Sequence, residues 1–169
     1  VRVIDFADVD TIDLAIDGVD EIDPALRAIK GGGGAMLREK IVASAARRMI
    51  AIADASKPVA RLGARPVPVE VLPFARALAM RRLGELGAVP TLRMVGDAPY
   101  RTDQGNIVVD CDFGLIGDPE RIAAALQALP GVLGHGLFIG EIHVIYVGTL
   151  RGVERHDRPD VRLSVTGVA

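Results

Sequence analysis

Four consecutive glycines, Gly31, Gly32, Gly33 and Gly34, stand between Lys30 and a helix-like stretch that begins at Ala35. Glycine loses more backbone freedom on folding than any other residue. A run of four is therefore costly to order, and it belongs where another group must approach the main chain closely. Uncovered amide N–H groups leading into a helix make an anion or oxyanion site. The run fits neither common phosphate fingerprint: no Gly-Lys-Ser/Thr follows it, and Met36 stands where a dinucleotide loop would need its third glycine. Just upstream lies Asp17-Gly18-Val19-Asp20-Glu21. Carboxylates, a cation and bare amides thus fall within one short span, the chemistry of a small anionic or polyhydroxylated ligand.

The surrounding pattern sets the fold class. Residues 2–6, 13–17 and 50–54 read as short strands, and 35–49 reads as a helix between the last two. That order predicts a βαβ unit on a parallel sheet, whose ligands gather at the carboxyl ends of strands. Asp17-Gly18 and Asp54-Ala-Ser-Lys57 both lie at such ends. Prolines at 58, 66, 68 and 73 then mark a composition break and a domain boundary.

Beyond the break, strand 67–71, helix 74–86, strands 91–95 and 106–111, helix 119–129 and strand 132–138 give the order βαββαβ, the split ferredoxin-like motif. Its second helix has Asp118 as N-cap, Pro119 at the first helical position and Pro130-Gly131 past the end. The run 143–147 is expected to rejoin the first sheet. The expectation is an α/β chain with a partial Rossmann-like open sheet from residues 1–62 and 139–157. A ferredoxin-like α+β domain is inserted at 63–138, and a tail at 158–169 has no assignment.

Composition narrows the function. Half of the 169 residues are apolar but only 4 % are aromatic, so aliphatic packing must make the core. Twenty basic against 22 acidic residues, net −2, give no electrostatic case for nucleic acid. No apolar run reaches the length of a membrane span. Cys111 is the only cysteine, which excludes an intramolecular disulfide and a cysteine zinc site. It sits in the apolar run 107–113 as a core thiol, and a cytoplasmic location is expected. The chain opens on Val1 rather than methionine, which points to an N-terminus removed or lying upstream.

Asp5, Asp8, Asp10, Asp13, Asp17, Asp20, Glu21 and Asp23 crowd the start of the chain. A metal reading fails on spacing, because the acids miss the EF-hand template and His135, His143 and His156 form no i, i+4 pair. Asp8, Asp10 and Asp23 suit turn and cap chemistry, whereas Asp17 and Asp20 flank Gly18 at a strand end. On the helix, Leu37, Ile41, Ala45 and Met49 share one face by periodicity. Glu39 lies off that face and by itself reads as a solvated carboxylate beside Lys40. Arg38 projects into the apolar arc and needs a partner or a snorkelling route.

Several motifs together strongly resemble ribose-5-phosphate isomerase of the A type. They are Asp17-Gly-Val-Asp-Glu21, Lys30-Gly-Gly-Gly-Gly-Ala-Met-Leu-Arg-Glu-Lys40, Asp54-Ala-Ser-Lys57, Pro68-Val-Glu-Val-Leu-Pro-Phe74, Asp103-Gln-Gly-Asn106, Pro130-Gly131 and Gly136-Leu-Phe138, in that order. The resemblance implies interconversion of ribose 5-phosphate and ribulose 5-phosphate in the pentose phosphate pathway, with no metal and no cofactor. It implies Glu39 as the general base between C1 and C2, with Asp17 and Lys30 assisting at O1 and O2. Asp17, Gly18, Val19, Asp20, Lys30, Gly31, Gly32, Gly33 and Lys57 would contact the sugar phosphate, Lys57 near the phosphate. It also implies a homodimer or homotetramer.

The family begins with a further α/β segment whose Gly/Ser/Thr-rich loop grips the phosphate, and no such loop occurs in these residues. The chain is therefore expected to correspond to the family without its first strands, leaving an open sheet edge. A second reading from another class is a sugar-phosphate-sensing effector domain, which needs the ligand groups but not the base. Glu39 with Lys30, and the absence of a basic recognition helix from the sequence, favour the enzyme.

Overall fold

The computed structural model describes residues 3–159. The apolar and acidic alternation at 13–17 becomes β1 (Ile12–Gly18). It is followed by β2 (Glu21–Ile22), β3 (Ala28–Ile29), α1 (Met36–Ala45), β4 (Ala46–Asp54), β5 (Val67–Val71), α2 (Arg76–Glu85), β6 (Val89–Leu92), β7 (Met94–Val95) and β8 (Ala98–Pro99). The remaining elements are β9 (Ile107–Asp112), α3 (Pro119–Gln127), β10 (Val132–His135), β11 (Leu137–Phe138), β12 (Val144–Thr149) and β13 (Gly152–Asp157).

The first sheet has the order β1-β4-β12-β13. β1 and β12 both run parallel to β4, with Ile12 opposite Ala46 and Val144 opposite Ile50, and β13 returns antiparallel along β12. On one face Ala15, Met49, Ala51, Ile145 and Val147 pack with Ala43 of α1 and with Ile22, Ala28 and Phe138. The last three come from a small sheet, β11-β3-β2. Small residues on the strands let α1 and this second layer approach closely. The opposite face carries Leu14, Ile16 and Ile52, each about half exposed, although parallel sheets are ordinarily covered on both faces. The strand expected at 143–147 does rejoin this sheet, as β12.

The second sheet has the order β10-β5-β9-β6 with every pair antiparallel. Val67, Val69, Val71, Val109 and Cys111 pack there with Ala79 and Leu83 of α2 and Ala123 and Leu126 of α3. The chain order β5-α2-β6-β9-α3-β10 is the expected βαββαβ. Asp118 caps α3 by accepting the Arg121 amide at 2.9 Å. Burial pushes the Cys111 thiol up to about 12, in keeping with a packing role. No helix among the described residues is long and apolar enough to cross a membrane.

Several expected elements differ. Residues 3–5 form no strand, and Phe6–Asp8 is a single 3-10 turn capped by Asp5. The helix expected over 35–49 stops at Ala45, and Ala46 to Met49 already belong to β4, where Arg47 and Arg48 alternate across the strand. The helix accordingly buries Met36 and Ala43, not the Leu37–Ile41 face, and Ile41 is 48 % exposed. The strand expected at 91–95 starts earlier, at Val89, and breaks at Arg93. Its Pro90 is tolerated because β6 is an edge strand.

The strand expected at 132–138 splits at Gly136, so that β10 serves one sheet and β11 another. Gly136 donates its amide to Pro68 O at 2.7 Å and accepts the Lys30 amide at 2.9 Å. A Cβ there would stand 2.1 Å from Lys30 O, so only glycine lets the two sheets meet at this point. The tail from residue 160 onward lies outside the described residues.

Candidate active site

The site forms where β1 ends, β3 ends and α1 begins. Asp17 and Gly18 close β1, and Lys30 follows β3 with its amide fixed by Gly136. The lysine side chain is 3 % exposed. A buried ammonium is costly unless paired and hydrogen-bonded. Its Nζ donates to Asp17 Oδ2 at 2.9 Å and to the Gly18 carbonyl, and lies 3.3 Å from Glu39 Oε2. The ring of Phe138 adds a cation–π contact, with its centroid 5.4 Å from Nζ.

Asp17 is 40 % exposed and also accepts the Gly18 amide at 2.8 Å. Asp20 is tied to the neighbouring layer by its amide, which donates to Ile29 O, and its Oδ2 accepts the Gly32 amide at 2.9 Å. That bond fixes one glycine of the run. Gly31 and Gly34 take positive φ, +96° and +83°, which any other residue would adopt only under strain. Gly34 closes a turn by donating to Gly31 O.

Glu39 sits one turn into α1, on the side that turns inward, and is 25 % exposed. Burial raises its carboxyl above the ordinary carboxylate range. The Lys30 charge pulls the other way and Asp17 reinforces the rise. The result is a carboxylate held beside an ammonium yet more basic than a free one, as a proton-transfer group requires.

Asp17, Gly18, Val19, Asp20, Lys30, Gly31, Gly32, Gly33 and Glu39 line one pocket. Lys57 stands apart. It borders an adjacent depression with Ile52, Ala53 and Asp54, which shares only Gly18 and Val19 with the first. Arg38 is exposed and finds its partner in Asp103 at 3.1 Å, bordering an apolar depression with Leu14, Ile16 and Val42; the buried side of α1 is rotated from the one periodicity suggested. For the same reason Glu39 faces the pocket and not solvent. Asp23 serves its turn, accepting the Ala25 and Arg27 amides at 3.0 Å. No three His, Cys, Asp or Glu side chains converge in metal-ligand fashion among the described residues.

Sequence reasoning missed Arg93 and Tyr100, and it quoted Gly136 only as part of a motif, without its structural role. Arg93, between β6 and β7, and Tyr100, just past β8, contact the glycine carbonyls. A lone arginine between Leu92 and Met94 in a strand was the available signal.

A family model described as ribose 5-phosphate isomerase A (phosphoriboisomerase A) matches residues 1–152. Ribose-5-phosphate isomerase A of Roseiflexus castenholzii is 53 % identical over 152 residues, covering 89 % of this chain and 65 % of the relative. That of Sphingopyxis alaskensis is 52 % identical over 147 residues, covering 87 % and 64 %. Among solved structures, ribose 5 phosphate isomerase A from Neisseria gonorrhoeae superposes with a TM-score of 0.88 at 40 % identity, covering 94 % of this chain and 70 % of the other. A D-ribose-5-phosphate isomerase in complex with phospho-erythronic acid gives 0.86 at 39 % identity, covering 90 % and 68 %. The chain thus spans a little under two thirds of the length of these curated relatives.

Proposed function

The chain belongs to the ribose 5-phosphate isomerase A family, and on that premise we propose that the protein interconverts ribose 5-phosphate and ribulose 5-phosphate by enediol proton transfer. Glu39 as carboxylate takes the proton from C2 of the ring-opened aldose. The C2–H electron pair moves into a C1–C2 double bond, and charge collects on O1. The carboxylic acid so formed returns the proton to C1 while the O2 proton passes to O1, giving the ketose. No electrons enter or leave.

Each residue has a task within that step. Lys30 offers its ammonium to the enediolate oxygens, and Asp17 holds that ammonium in place and mediates proton movement between O1 and O2. Gly18, Val19, Asp20, Gly31, Gly32 and Gly33 shape the sugar subsite, and Lys57 reaches the phosphate end from the neighbouring depression. A positioned base contributes about 10²–10⁴-fold, and loss of one oxyanion donor costs roughly 3–4 kcal/mol. The relative solved with phospho-erythronic acid supports the reading. That compound carries a carboxylate and a phosphate, the charge pattern of an enediolate phosphate.

The observation that carries the proposal is the Lys30 ammonium held between Asp17 and Glu39, with Glu39 raised by burial in spite of it. We assign residues 1–62 and 139–157 to a catalytic domain and 63–138 to an inserted one, in a cytoplasmic homodimer or homotetramer. Coupled turnover of ribose 5-phosphate by the full-length native protein, repeated with Glu39→Gln, tests the assignment. A loss of at least ~10²-fold in kcat is expected, and undiminished turnover overturns Glu39 as the base.

A further inference from the structure

The glycine segment is also gripped by two side chains from the stretch that follows β6. Arg93, just past β6, donates from Nη1 to Gly31 O at 3.2 Å and to Gly32 O at 3.0 Å. Tyr100 Oη donates to Gly33 O at 3.0 Å. Three successive carbonyls are therefore held by two side chains.

The grip is itself fixed. Arg93 makes a two-pronged pair with Asp110 of β9, Nε to Oδ2 at 2.9 Å and Nη2 to Oδ1. Such forked pairing fixes the guanidinium plane as well as its position. The main chains lock the rest, since the Arg93 amide donates to Val108 O and the Tyr100 amide donates to Arg93 O, each at 2.9 Å. The guanidinium also lies 5.7 Å from the centre of the Tyr100 ring. The fit leaves no room: a Cβ on Gly34 would come within 2.3 Å of Tyr100 Oη.

Peptide planarity turns this grip into an aim. In a trans peptide the C=O and the following N–H point in opposite directions. Holding the Gly31 carbonyl directs the Gly32 amide, which is indeed found on Asp20. Holding the Gly32 carbonyl directs the Gly33 amide, and Gly33 lines the pocket. Holding the Gly33 carbonyl fixes the next peptide, whose amide, that of Gly34, closes the turn on Gly31 O. We propose that Arg93, fixed by Asp110, and Tyr100 are positioning residues that hold the peptides on either side of Gly33 and so aim the Gly33 amide at the developing oxyanion. The stretch between β6 and β9, anchored on β9 through Asp110, thereby sets the geometry of a site whose reacting groups it does not carry. The inference rests on the isomerase reading above.

Its test uses the full-length native protein with Tyr100→Phe, which removes one hydroxyl, and Arg93→Ala. Kinetics are read alongside hydrogen exchange at the amides of residues 31–34. Tyr100→Phe is expected to lower kcat about tenfold, as misaimed groups do, with KM within twofold and faster exchange in the glycines. Arg93→Ala is expected to lose about 10²-fold and to recover in part with added guanidinium ion at non-denaturing concentration, which a generally loosened fold would not do. Unchanged kcat in folded Tyr100→Phe overturns the positioning role while leaving the isomerase reading intact, and this arm decides alone if Arg93→Ala does not fold. A wild-type protein with no turnover overturns the isomerase reading itself, and the catalytic role of the grip falls with it.

Discussion

The Lys30 ammonium stands 3.3 Å from Glu39 Oε2, yet burial outweighs that attraction and leaves Glu39 harder to ionise than a free carboxylate. Asp17 completes the arrangement on the other side of the lysine at 2.9 Å. One buried cation thus serves two carboxylates, and burial keeps Glu39 basic in spite of it.

This has a consequence for stability. The Glu39 carboxyl of the folded protein lies above its ordinary value of 4.5, so its contribution is favourable below that pH and is lost as pH rises through the folded value. Glu39→Gln is therefore expected to melt at or above the wild-type temperature at pH 8, with the difference closing below pH 4.5. Thermal unfolding at the two pH values checks it, and a lower melting temperature at pH 8 contradicts it.

Lys30→Met removes the cation shared by Asp17 and Glu39. Two facing carboxylates without it repel, so the Glu39 carboxyl rises further. The acid limb of kcat/KM should move to higher pH, together with a loss of roughly 10²–10³-fold for the missing oxyanion partner. An acid limb in its wild-type place would separate Lys30 from Glu39.

Gly136 is the point where the two sheets are stitched together. A methyl group there would meet Lys30 O at 2.1 Å and Pro68 Cδ at 2.7 Å, and a main-chain oxygen cannot step aside cheaply. Gly136→Ala should cost more than about 2 kcal/mol, read as a lowered urea midpoint. A midpoint within error of wild type would show that the junction is softer than its geometry indicates.

His135 is 4 % exposed, and burial, with the Lys40 charge second, holds its imidazole down to about 3. Lys40 Nζ stands 3.2 Å from its Nδ1, and burial lowers Lys40 in turn to about 8. A depressed histidine contributes stability that is present above its ordinary 6.5 and lost as pH falls from there towards 3. His135→Gln should flatten that acid loss in urea titrations between pH 7 and 4. An unchanged slope would contradict it.

Much of the architecture was legible because periodicity and turn chemistry agree. Asp118-Pro119 started α3 where capping requires, and the βαββαβ order followed from spacing alone. The helix face was not legible. α1 is ten residues long, mixes small apolar with charged residues, and passes directly into β4, so Met49 belonged to a strand and distorted the apparent stripe. Glu39 was consequently placed towards water, and only the motif pointed to it. Arg93, Tyr100 and Gly136 act through contacts distant in sequence, with main-chain atoms as their targets. Such contacts leave no periodic signal, because a carbonyl oxygen is the same in every residue.

The central claim is that Glu39 carries the proton between C1 and C2. Its most direct test is deuterium incorporation from D₂O into the sugar phosphate, followed by NMR, for the full-length native protein and for Glu39→Gln. Wild type should exchange the transferred proton during turnover, and the variant should exchange at least ~10²-fold more slowly while keeping its fold by circular dichroism. Exchange at the wild-type rate in Glu39→Gln would contradict the account.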